Sequence, residues 1–383
     1  MILASALVAL ALVLVLGAAL VLARILGRRV ISQRERTSLP IVDLTETTLT
    51  MPATEETLQP GRYGLWNADQ SEYALIGEVV TRDPEQANVT RRVLSLSTTP
   101  QAFGSDAVWT GHVFRTPTDV VPDARELTID TPAGECPAWF LPAHNPGRTW
   151  AIHVHGIRTT RITALRTVPA ALEAGLPSLV VSFRGDGEGP ETTPAGISHL
   201  GSTEWEDIDA AIGHAIANGA EDVVIFGWSM GATASLIAAE RGLNADRVRA
   251  MVLIGPAVDW SATIAAGARK AHLPGVLGAL AFWALTTPGI CRLTGLTSPL
   301  PRRDLVWTKN ARIDLPIFVI HSPADRDLPI DASREFVAQS PFRRTLQEFA
   351  GGALHCWEYN HAPEVFNGAI SSFLAQLPRN LRE

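Results

Sequence analysis

The segment Gly227-Trp228-Ser229-Met230-Gly231 places a serine between two glycines where an extended run should turn into a helix. Residues 222–226 before it are largely apolar, as in a buried strand. Residues 232–241 after it carry Ala, Leu and Ile at helical intervals, and Gly242 follows where a helix C-cap is expected. A serine lifted above a sheet on so tight a turn needs small neighbours, and glycine lacks the Cβ that would clash. We therefore predict a strand, a tight turn and a helix, with Ser229 in the turn.

The chain from residue 124 onward predicts a mostly parallel sheet. Residues 126–130 and 136–141 suggest an opening antiparallel hairpin, after which apolar runs alternate with helical stretches. The expected strands of that alternation are 150–155, 178–183, 222–226, 248–254, 316–320 and 345–349. With 383 residues, the chain is long enough for one α/β domain of about 250 residues plus an extension.

Across residues 124–383 the chain resembles the α/β-hydrolase superfamily. The resemblance implies the α/β-hydrolase fold, a mostly parallel central sheet flanked by helices and carrying a small helical cap. In that family the Gly-x-Ser-x-Gly turn is the nucleophile elbow. Ser229 is therefore the expected nucleophile, with Gly227 and Gly231 as the small residues of the elbow.

The resemblance also implies an acid after the strand that ends at residue 320. The segment His321-Ser322-Pro323-Ala324-Asp325-Arg326-Asp327-Leu328-Pro329 is similar to the family's HGxxDxxVP pattern, with serine replacing glycine and leucine replacing valine. The acid position falls on Asp325, whose carboxylate would orient a histidine and stabilise its imidazolium. Asp327 is the nearest rival, either residue could instead cap the following helix, and Asp259 is a further alternative.

A general base is expected on His355, in the loop between the last predicted strand and the terminal helix. Serine is hardly ionised at neutral pH, whereas imidazole can accept its proton and return it to a leaving group. His361 competes for this role but lies at the edge of the terminal helix. Cys356 is an alternative nucleophile, although a packed small side chain is the simpler interpretation.

Two backbone amides are expected to bind the oxyanion of the tetrahedral intermediate. One belongs to Met230, the residue after the nucleophile. The other is implied by residues 153–157, which resemble the family's HG-x oxyanion motif and place the Ile157 amide after Gly156. His153 and His155 are expected to be structural, as are residues 184–189, which are similar to the family's RGxGxS turn.

The amino terminus predicts a transmembrane anchor over residues 1–26. Residues 2–23 carry no charge and only one polar side chain, Ser5, and about twenty such residues span a bilayer as a helix. No basic residue precedes the run, which favours an uncleaved anchor over a signal peptide. Positively charged flanks tend to stay in the cytoplasm, so the catalytic domain is expected to face it. The flanking basic residues are Arg24, Arg28, Arg29, Arg34 and Arg36.

Residues 27–123 predict a spacer followed by a small β-rich extension. Strand-like runs occur at 73–80 and 108–114 between turn residues. No metal-ligand cluster or phosphate-binding glycine pattern is visible, so the sequence assigns this region no chemistry of its own. Packing against the hydrolase domain, or shaping the entrance to its site, is the expected role.

Residues 261–313 fall between two expected strands and predict a helical cap over the serine. The apolar run at 273–285 would offer an acyl or otherwise hydrophobic substrate a surface, or would simply pack against the core.

Acidic residues exceed basic ones by 39 to 32, and the basic ones are scattered, which argues against a nucleic-acid partner. The three cysteines, Cys136, Cys291 and Cys356, form no CxxC pair, so neither a metal, a disulfide framework nor a cofactor is predicted.

Together these expectations describe a serine hydrolase of the carboxylesterase or lipase type that cleaves a small-molecule ester through an acyl-enzyme. A serine peptidase similar to the prolyl-oligopeptidase group is the alternative, because that group shares the same triad order. A non-enzymatic binding protein on a hydrolase fold is a third possibility, since a fold alone does not establish activity. The sequence leaves the oligomeric state open.

Overall fold

The chain forms two β-sheets, one in its first third and one in the remainder. The computed structural model describes residues 2–32, 37–309, 312–340 and 343–377. Arg34 and Arg36 of the predicted basic flank, and residues 378–383 of the predicted hydrolase domain, lie outside the described residues.

The first region consists of helix α1 and an antiparallel sheet of seven strands. Helix α1 is Ile2–Ile31, and the strands are β1 Leu39–Pro40, β2 Asp43–Leu44, β3 Thr48–Pro52, β4 Tyr63–Asn67, β5 Tyr73–Asp83, β6 Asn88–Leu96 and β7 Asp106–Thr110, with α2 Pro100–Phe103 before β7. The strand order is β1-β7-β4-β5-β6-β3-β2. The β-rich extension predicted over 27–123 is thus present only in part, because α1 continues to residue 31 and the strands occupy 39–110.

A buried arginine organises this first sheet. The Arg91 guanidinium donates hydrogen bonds to the carbonyl oxygens of Thr57 at 2.8 Å, Gln59 at 2.6 Å and Gly61 at 3.0 Å. It also lies 5.3 Å from the ring centre of Tyr63, and burial lowers its pKa to about 10. Because these carbonyls belong to the segment between β3 and β4, one side chain fixes the loop that faces the second sheet.

The second sheet contains eight strands in the order β15-β14-β13-β12-β10-β11-β9-β8. They are β8 Arg125–Thr131, β9 Gly134–Leu141, β10 Thr149–Val154, β11 Ser178–Val181, β12 Asp222–Trp228, β13 Val248–Ile254, β14 Ile317–His321 and β15 Arg344–Glu348. Strand β9 pairs antiparallel with β8 and β11, and the pairs from β11 to β15 are parallel. The predicted hairpin and mostly parallel sheet are therefore confirmed, with strand ends within a few residues of those expected.

Helices cover both faces of this sheet. They are α3 Val168–Glu173, α4 Trp205–Ala217, α5 Met230–Arg241, α6 Trp260–Lys270, α7 Gly275–Thr286, α8 Arg302–Leu305, α9 Ile330–Ala338, α10 Glu358–His361 and α11 Pro363–Ala375. Successive side chains of a strand point to opposite faces. Accordingly Val223 and Ile225 belong to one apolar cluster, and Val224 and Phe226 belong to the other.

Helix α5 ends at Arg241, as the sequence predicts, but Gly242 is there for a different reason than a left-handed cap. Its φ is −62°, which any residue adopts. A Cβ on Gly242 would lie 2.4 Å from Asp209 Oδ1 and 2.6 Å from the carbonyl oxygen of Ala238. The glycine is therefore required by the space between α5 and α4.

Within the described residues, no helix combines the length and apolar character needed to cross a bilayer. The predicted transmembrane anchor over 1–26, the single-pass membrane location and the cytoplasmic orientation inferred from its arginines are therefore wrong. The carboxyl-terminal part of α1 packs against protein instead. Leu26 and Ile31 are buried in the larger core cluster, and a Cβ on Gly27 would lie 2.9 Å from Thr294 Cγ2 in the segment after α7.

Candidate active site

Ser229 occupies a strained turn between β12 and α5. Its backbone angles are φ 51° and ψ −117°, a conformation that costs a non-glycine residue about 1–3 kcal/mol. The Ser229 amide donates to the Ile254 carbonyl at 2.9 Å, and its own carbonyl accepts from the amides of Ala232 at 3.1 Å and Ala257 at 3.0 Å. These bonds hold the turn in place, and they leave the hydroxyl at the carboxyl end of the central strands.

The two glycines of the elbow are required by the close approach of neighbouring backbone. A Cβ on Gly231 would lie 2.3 Å from the carbonyl oxygen of His155, and one on Gly227 would lie 2.8 Å from Cα of Ala232. Both distances are far shorter than van der Waals contact, and neither backbone neighbour can rotate away. The sequence predicted that the serine needs small neighbours, and each of the two glycines meets that need at a different backbone contact.

The structure brings Ser229, His355 and Asp325 into one hydrogen-bonded line. The distance from Ser229 Oγ to His355 Nε2 is 2.9 Å, and that from His355 Nδ1 to Asp325 Oδ2 is 2.6 Å. An ionised Asp325 can only accept, so Nδ1 carries the proton and Nε2 accepts from the serine hydroxyl. The three residues follow β12, β15 and β14, whose carboxyl ends lie at one edge of the sheet.

The charge pattern of this line favours a basic imidazole. Burial alone opposes an imidazolium at His355, but the charge of Asp325 and a smaller contribution from Cys356 outweigh it and hold the pKa of His355 well above its usual 6.5. Burial also opposes ionisation of Asp325, yet His355 and His321 together hold its pKa well below the usual range. Asp325 is therefore the carboxylate and His355 the proton acceptor of the set.

Asp325 has more hydrogen-bond donors than sequence reasoning predicted. Its Oδ1 accepts from the amides of Asp327 at 2.8 Å and Leu328 at 2.9 Å, and its Oδ2 also accepts from His321 Nε2 at 3.0 Å. The other ring nitrogen of His321 accepts from Ser333 Oγ at 2.7 Å. From the sequence, His321 had no role beyond its place in the HGxxDxxVP-like segment. Its spacing of four residues from Asp325 was the one signal that could have identified it as a donor to that carboxylate.

A buried glutamate lies near this set. The carboxylate of Glu358 accepts from the Ser322 amide at 3.1 Å through Oε1, whereas Oε2 has no hydrogen-bond partner among the described residues. Burial raises the pKa of Glu358 from its ordinary 4.5 to about 7. The side chain is therefore partly neutral near neutral pH.

The rival candidates have other partners or unsuitable chemistry. Asp327 forms an exposed ion pair with Lys270 at 2.6 Å, and Asp259 caps α6 by accepting from the Ala262 amide at 2.9 Å. His361 Nε2 lies 2.9 Å from Gln59 Oε1 of the first region. Cys356 Sγ is 3.5 Å from His355 Nε2, but burial raises the pKa of the thiol, which disfavours the reactive thiolate.

The residues of both predicted oxyanion donors lie close to the serine. Met230 is the first residue of α5, and the first amides of a helix have no intrahelical acceptor. Gly156 comes so close that a Cβ there would lie 3.0 Å from Ser229 Cβ, and Ile157 lines the same cavity as Ser229 and His355. This placement is compatible with the predicted pair of amides, whose role remains a prediction.

The two histidines at the end of β10, His153 and His155, have structural partners. His153 is buried between Thr167 Oγ1 at 2.8 Å and Ser178 Oγ at 3.0 Å, and burial lowers its pKa to about 3. His155 Nε2 lies 3.0 Å from Asp186 Oδ2. Asp186 also accepts from the amides of the turn that follows it, which makes that glycine-rich turn structural, as expected.

A cavity of about 640 Å³ opens over the serine. We call it the cap-side cavity, because α6 and the end of α1 supply much of its wall. Its apolar lining includes Leu26, Val30, Ile157, Trp260, Ile264 and Leu328. Arg158, which follows Ile157, fixes the end of α1 by donating to the carbonyls of Val30 at 2.8 Å and Ser32 at 3.1 Å.

Loops of the first sheet form hydrogen bonds with the segment that follows His355. Asn360 Nδ2 donates to the carbonyls of Arg62 at 2.6 Å and Gly111 at 3.0 Å, and its Oδ1 accepts from Arg166 at 2.6 Å. Arg166 also donates to the Cys356 carbonyl at 2.7 Å. The β-rich region thus contacts the histidine segment directly, a non-local arrangement that no local sequence signal indicated.

In the parts of the chain that the structure describes, no group of three His, Cys, Asp or Glu side chains is placed to hold a metal ion.

Comparison with known proteins identifies the larger region. A model of the alpha/beta hydrolase family matches residues 140–369, and the chain therefore belongs to that family. Residues 40–110 match a separate model, a domain of unknown function (DUF8805). No curated protein sequence matches the chain.

Two solved crystal forms of one esterase share the fold at low sequence identity. The esterase Pf2001 of Pyrococcus furiosus in space group P21 has a TM-score of 0.52 and 20% identity, covering 68% of this chain and 96% of that one. The same esterase in space group P212121 gives a TM-score of 0.52 and 20% identity over 68% and 94%. XC6422 from Xanthomonas campestris, a serine hydrolase without lid, has a TM-score of 0.43 and 16% identity, covering 67% of this chain and 96% of that one.

Proposed function

We propose that the protein is a serine hydrolase that cleaves carboxylic esters with a hydrophobic acyl group. The observation that carries the proposal is the line from Ser229 Oγ through the His355 ring to Asp325 Oδ2, with distances of 2.9 and 2.6 Å, at the floor of an apolar cavity. Nucleophile, base and orienting acid are the three parts that acyl transfer requires.

In the proposed mechanism, His355 Nε2 takes the proton of Ser229 as Oγ attacks the ester carbonyl carbon. The C–O bond to the alcohol then breaks, and the His355 imidazolium returns the proton to the departing alcohol oxygen. A water molecule deprotonated by the same ring attacks the acyl-enzyme and releases the acid. Asp325 holds the ring with Nδ1 protonated and stabilises its charge in both half-reactions.

The oxyanion of each tetrahedral intermediate would be bound by the amides of Met230 and Ile157. Fixed backbone donors need no reorganisation when the negative charge develops, and removing one such donor from a hydrolase costs about 10²–10³ in kcat. The start of α5 adds the positive end of its helix dipole. These roles of Met230 and Ile157 are proposed on their position beside Ser229.

The substrate class follows from the walls of the cap-side cavity. Apolar surface makes up most of its lining, Lys270 and Asp327 form an ion pair there, and Arg29 and Arg158 are the other charged lining residues. Burying an acyl chain against such a surface gains about 0.8 kcal/mol per methylene. We therefore expect medium-length acyl esters to be better substrates than acetates. Residues 261–313 are proposed as the cap and 124–383 as the hydrolase domain.

A fluorophosphonate probe tests the proposed function. Wild-type protein, Ser229→Ala and Cys356→Ala are labelled and then assayed with butyryl, octanoyl and aminoacyl-proline substrates. We expect labelling and octanoyl hydrolysis in the wild type and in Cys356→Ala, and neither in Ser229→Ala. Absence of Ser229-dependent labelling would favour a non-enzymatic binding role, and peptide turnover without ester turnover would favour the peptidase.

A further inference from the structure

A second cavity, of about 390 Å³, adjoins the cap-side cavity on the side of the β-rich region. We call it the extension-side cavity, because β7 and the residues after it supply one wall. Arg158, Thr159, Thr163 and Cys356 line both cavities. An ester has two parts that lie on opposite sides of the reacting carbon, so two cavities that share walls next to His355 match its shape.

The two cavities differ in chemistry. The cap-side cavity is mainly apolar, whereas the extension-side cavity is lined by Trp109 and Trp357, by Thr110 and Thr159, and by the charged residues Glu56, Arg158 and Arg166. Indole rings offer flat apolar surfaces, and hydroxyls and carboxylates exchange hydrogen bonds with hydroxyl groups. This combination suits a ligand that carries several hydroxyls on a carbon skeleton.

A hydrogen-bond chain holds the side chain of Thr159. Trp66 Nε1 can only donate, so His112 Nδ1, at 3.2 Å, accepts, and Nε2 carries the proton. That proton is donated to Thr163 Oγ1 at 3.1 Å, and Thr163 Oγ1 is in turn hydrogen-bonded to Thr159 Oγ1. The Thr159 side chain is therefore held in a fixed position at the cavity wall.

The aromatic wall is held in place by packing. Trp357 lies edge-on to Tyr63 with ring centres 4.8 Å apart. A Cβ on Gly111 would lie 2.9 Å from Trp357 Nε1, so the β-rich region meets the indole without a gap. A cavity whose walls are ordered before binding loses little entropy on binding.

We propose that the extension-side cavity binds the alcohol part of the ester, and that this alcohol is a polyol such as a sugar. The inference rests on the proposed ester hydrolysis. The acyl chain occupies the cap-side cavity, while the polyol lies against the indoles with its hydroxyls bonded to Thr159 and Glu56. The β-rich region of residues 39–110 thereby gains a function, which is to select the leaving group.

The test compares glucose octanoate with ethyl octanoate, which share the acyl chain and differ in the alcohol. We expect Glu56→Gln and Thr159→Val each to lower the ratio of kcat/KM values, glucose ester over ethyl ester, about tenfold. Glu85→Gln serves as the matched control, because Glu85 is an exposed acid in the turn between β5 and β6 and should keep the wild-type ratio.

A cavity-filling variant provides an independent measurement. Glu56→Trp should lower the same ratio at least tenfold, because the added indole occupies space that the sugar needs. An unchanged ratio in all three variants, with Ser229 still labelled by the fluorophosphonate, would overturn the polyol site and leave the hydrolase proposal standing. Loss of labelling in the wild type would instead overturn the hydrolase proposal itself.

Discussion

Replacing Gly231 by alanine should disrupt the elbow, and the structure gives the size of the effect. The new Cβ would lie 2.3 Å from the His155 carbonyl oxygen and 2.6 Å from that of Val154. An ordinary C···O contact is about 3.3 Å, so α5 and the end of β10 must separate by about 1 Å. Overpacking usually costs about 1–3 kcal/mol, and two backbone neighbours put this site at the upper end, about 3 kcal/mol.

The matched control is Gly267→Ala in α6, at an exposed position of the cap-side cavity wall where a Cβ meets nothing within 4 Å. Removing a glycine from a helix interior stabilises by about 0.5–1 kcal/mol. At about 2.1 cal/mol/K of unfolding entropy per residue, each kcal/mol shifts Tm by about 1.2 °C in a chain of 383 residues. We therefore expect Tm to fall by about 4 °C in Gly231→Ala and to rise by about 1 °C in Gly267→Ala.

Thermal unfolding followed by circular dichroism measures both shifts, and the rate of fluorophosphonate labelling reports the geometry of Ser229. Gly231→Ala should label at least a hundredfold more slowly, because the Met230 amide moves with α5. A Gly231→Ala protein with wild-type Tm and labelling rate would refute the idea that backbone contact makes this glycine necessary.

Three further predictions concern the titrating groups around the serine. Because Asp325 holds the pKa of His355 well above 6.5, the acid limb of the kcat/KM profile should have its midpoint above pH 6.5. Asp325→Asn should move this midpoint to lower pH and reduce kcat about 10³–10⁴-fold. A midpoint that stays in place would contradict the pairing of Asp325 with His355. Removing a donor to Asp325 by His321→Ala should raise the same midpoint, because a carboxylate with one donor fewer stabilises the His355 imidazolium more strongly, whereas a purely structural His321 would change Tm without moving the profile. The pKa of Glu358 rises from 4.5 to about 7 on folding, so the folded chain keeps a proton that the unfolded chain has lost, and the free energy of unfolding should decrease as pH rises from about 4.5 to above 7. Urea unfolding at pH 5 and pH 8 should show this difference in the wild type and a smaller one in Glu358→Gln; an equal difference in both would assign the pH dependence to other groups.

Local sequence patterns predicted the second sheet well. Buried parallel strands are short apolar runs, and β10 to β14 each stand out between polar or glycine-rich segments, whereas β15, at the edge of the sheet, is mostly polar. The residues now found in line were also identifiable, because Ser229 and Asp325 lie in motifs with fixed spacing and His355 lies in the loop after the last predicted strand. Their catalytic roles remain predictions.

The failures have physical causes. Residues 2–23 form an apolar run, but apolar side chains are equally suited to burial against protein, and Leu26 and Ile31 show that the end of α1 is buried in this way. Arg158 and Asn360 could not be assigned roles, because their partners lie on other elements. Asn360 reaches Arg62 across 298 residues, a distance in sequence that no local pattern encodes.

The link between Asn360 and the loops at Arg62 and Gly111 has a consequence for biosynthesis. Contacts between residues so far apart in sequence form late, because the loops that they close are long and their closure costs entropy. On a ribosome the first sheet emerges and pairs its own strands well before residue 360 is made. The segment carrying His355 can dock only afterwards, so we expect a nascent chain to have no hydrolytic competence until synthesis has passed α10.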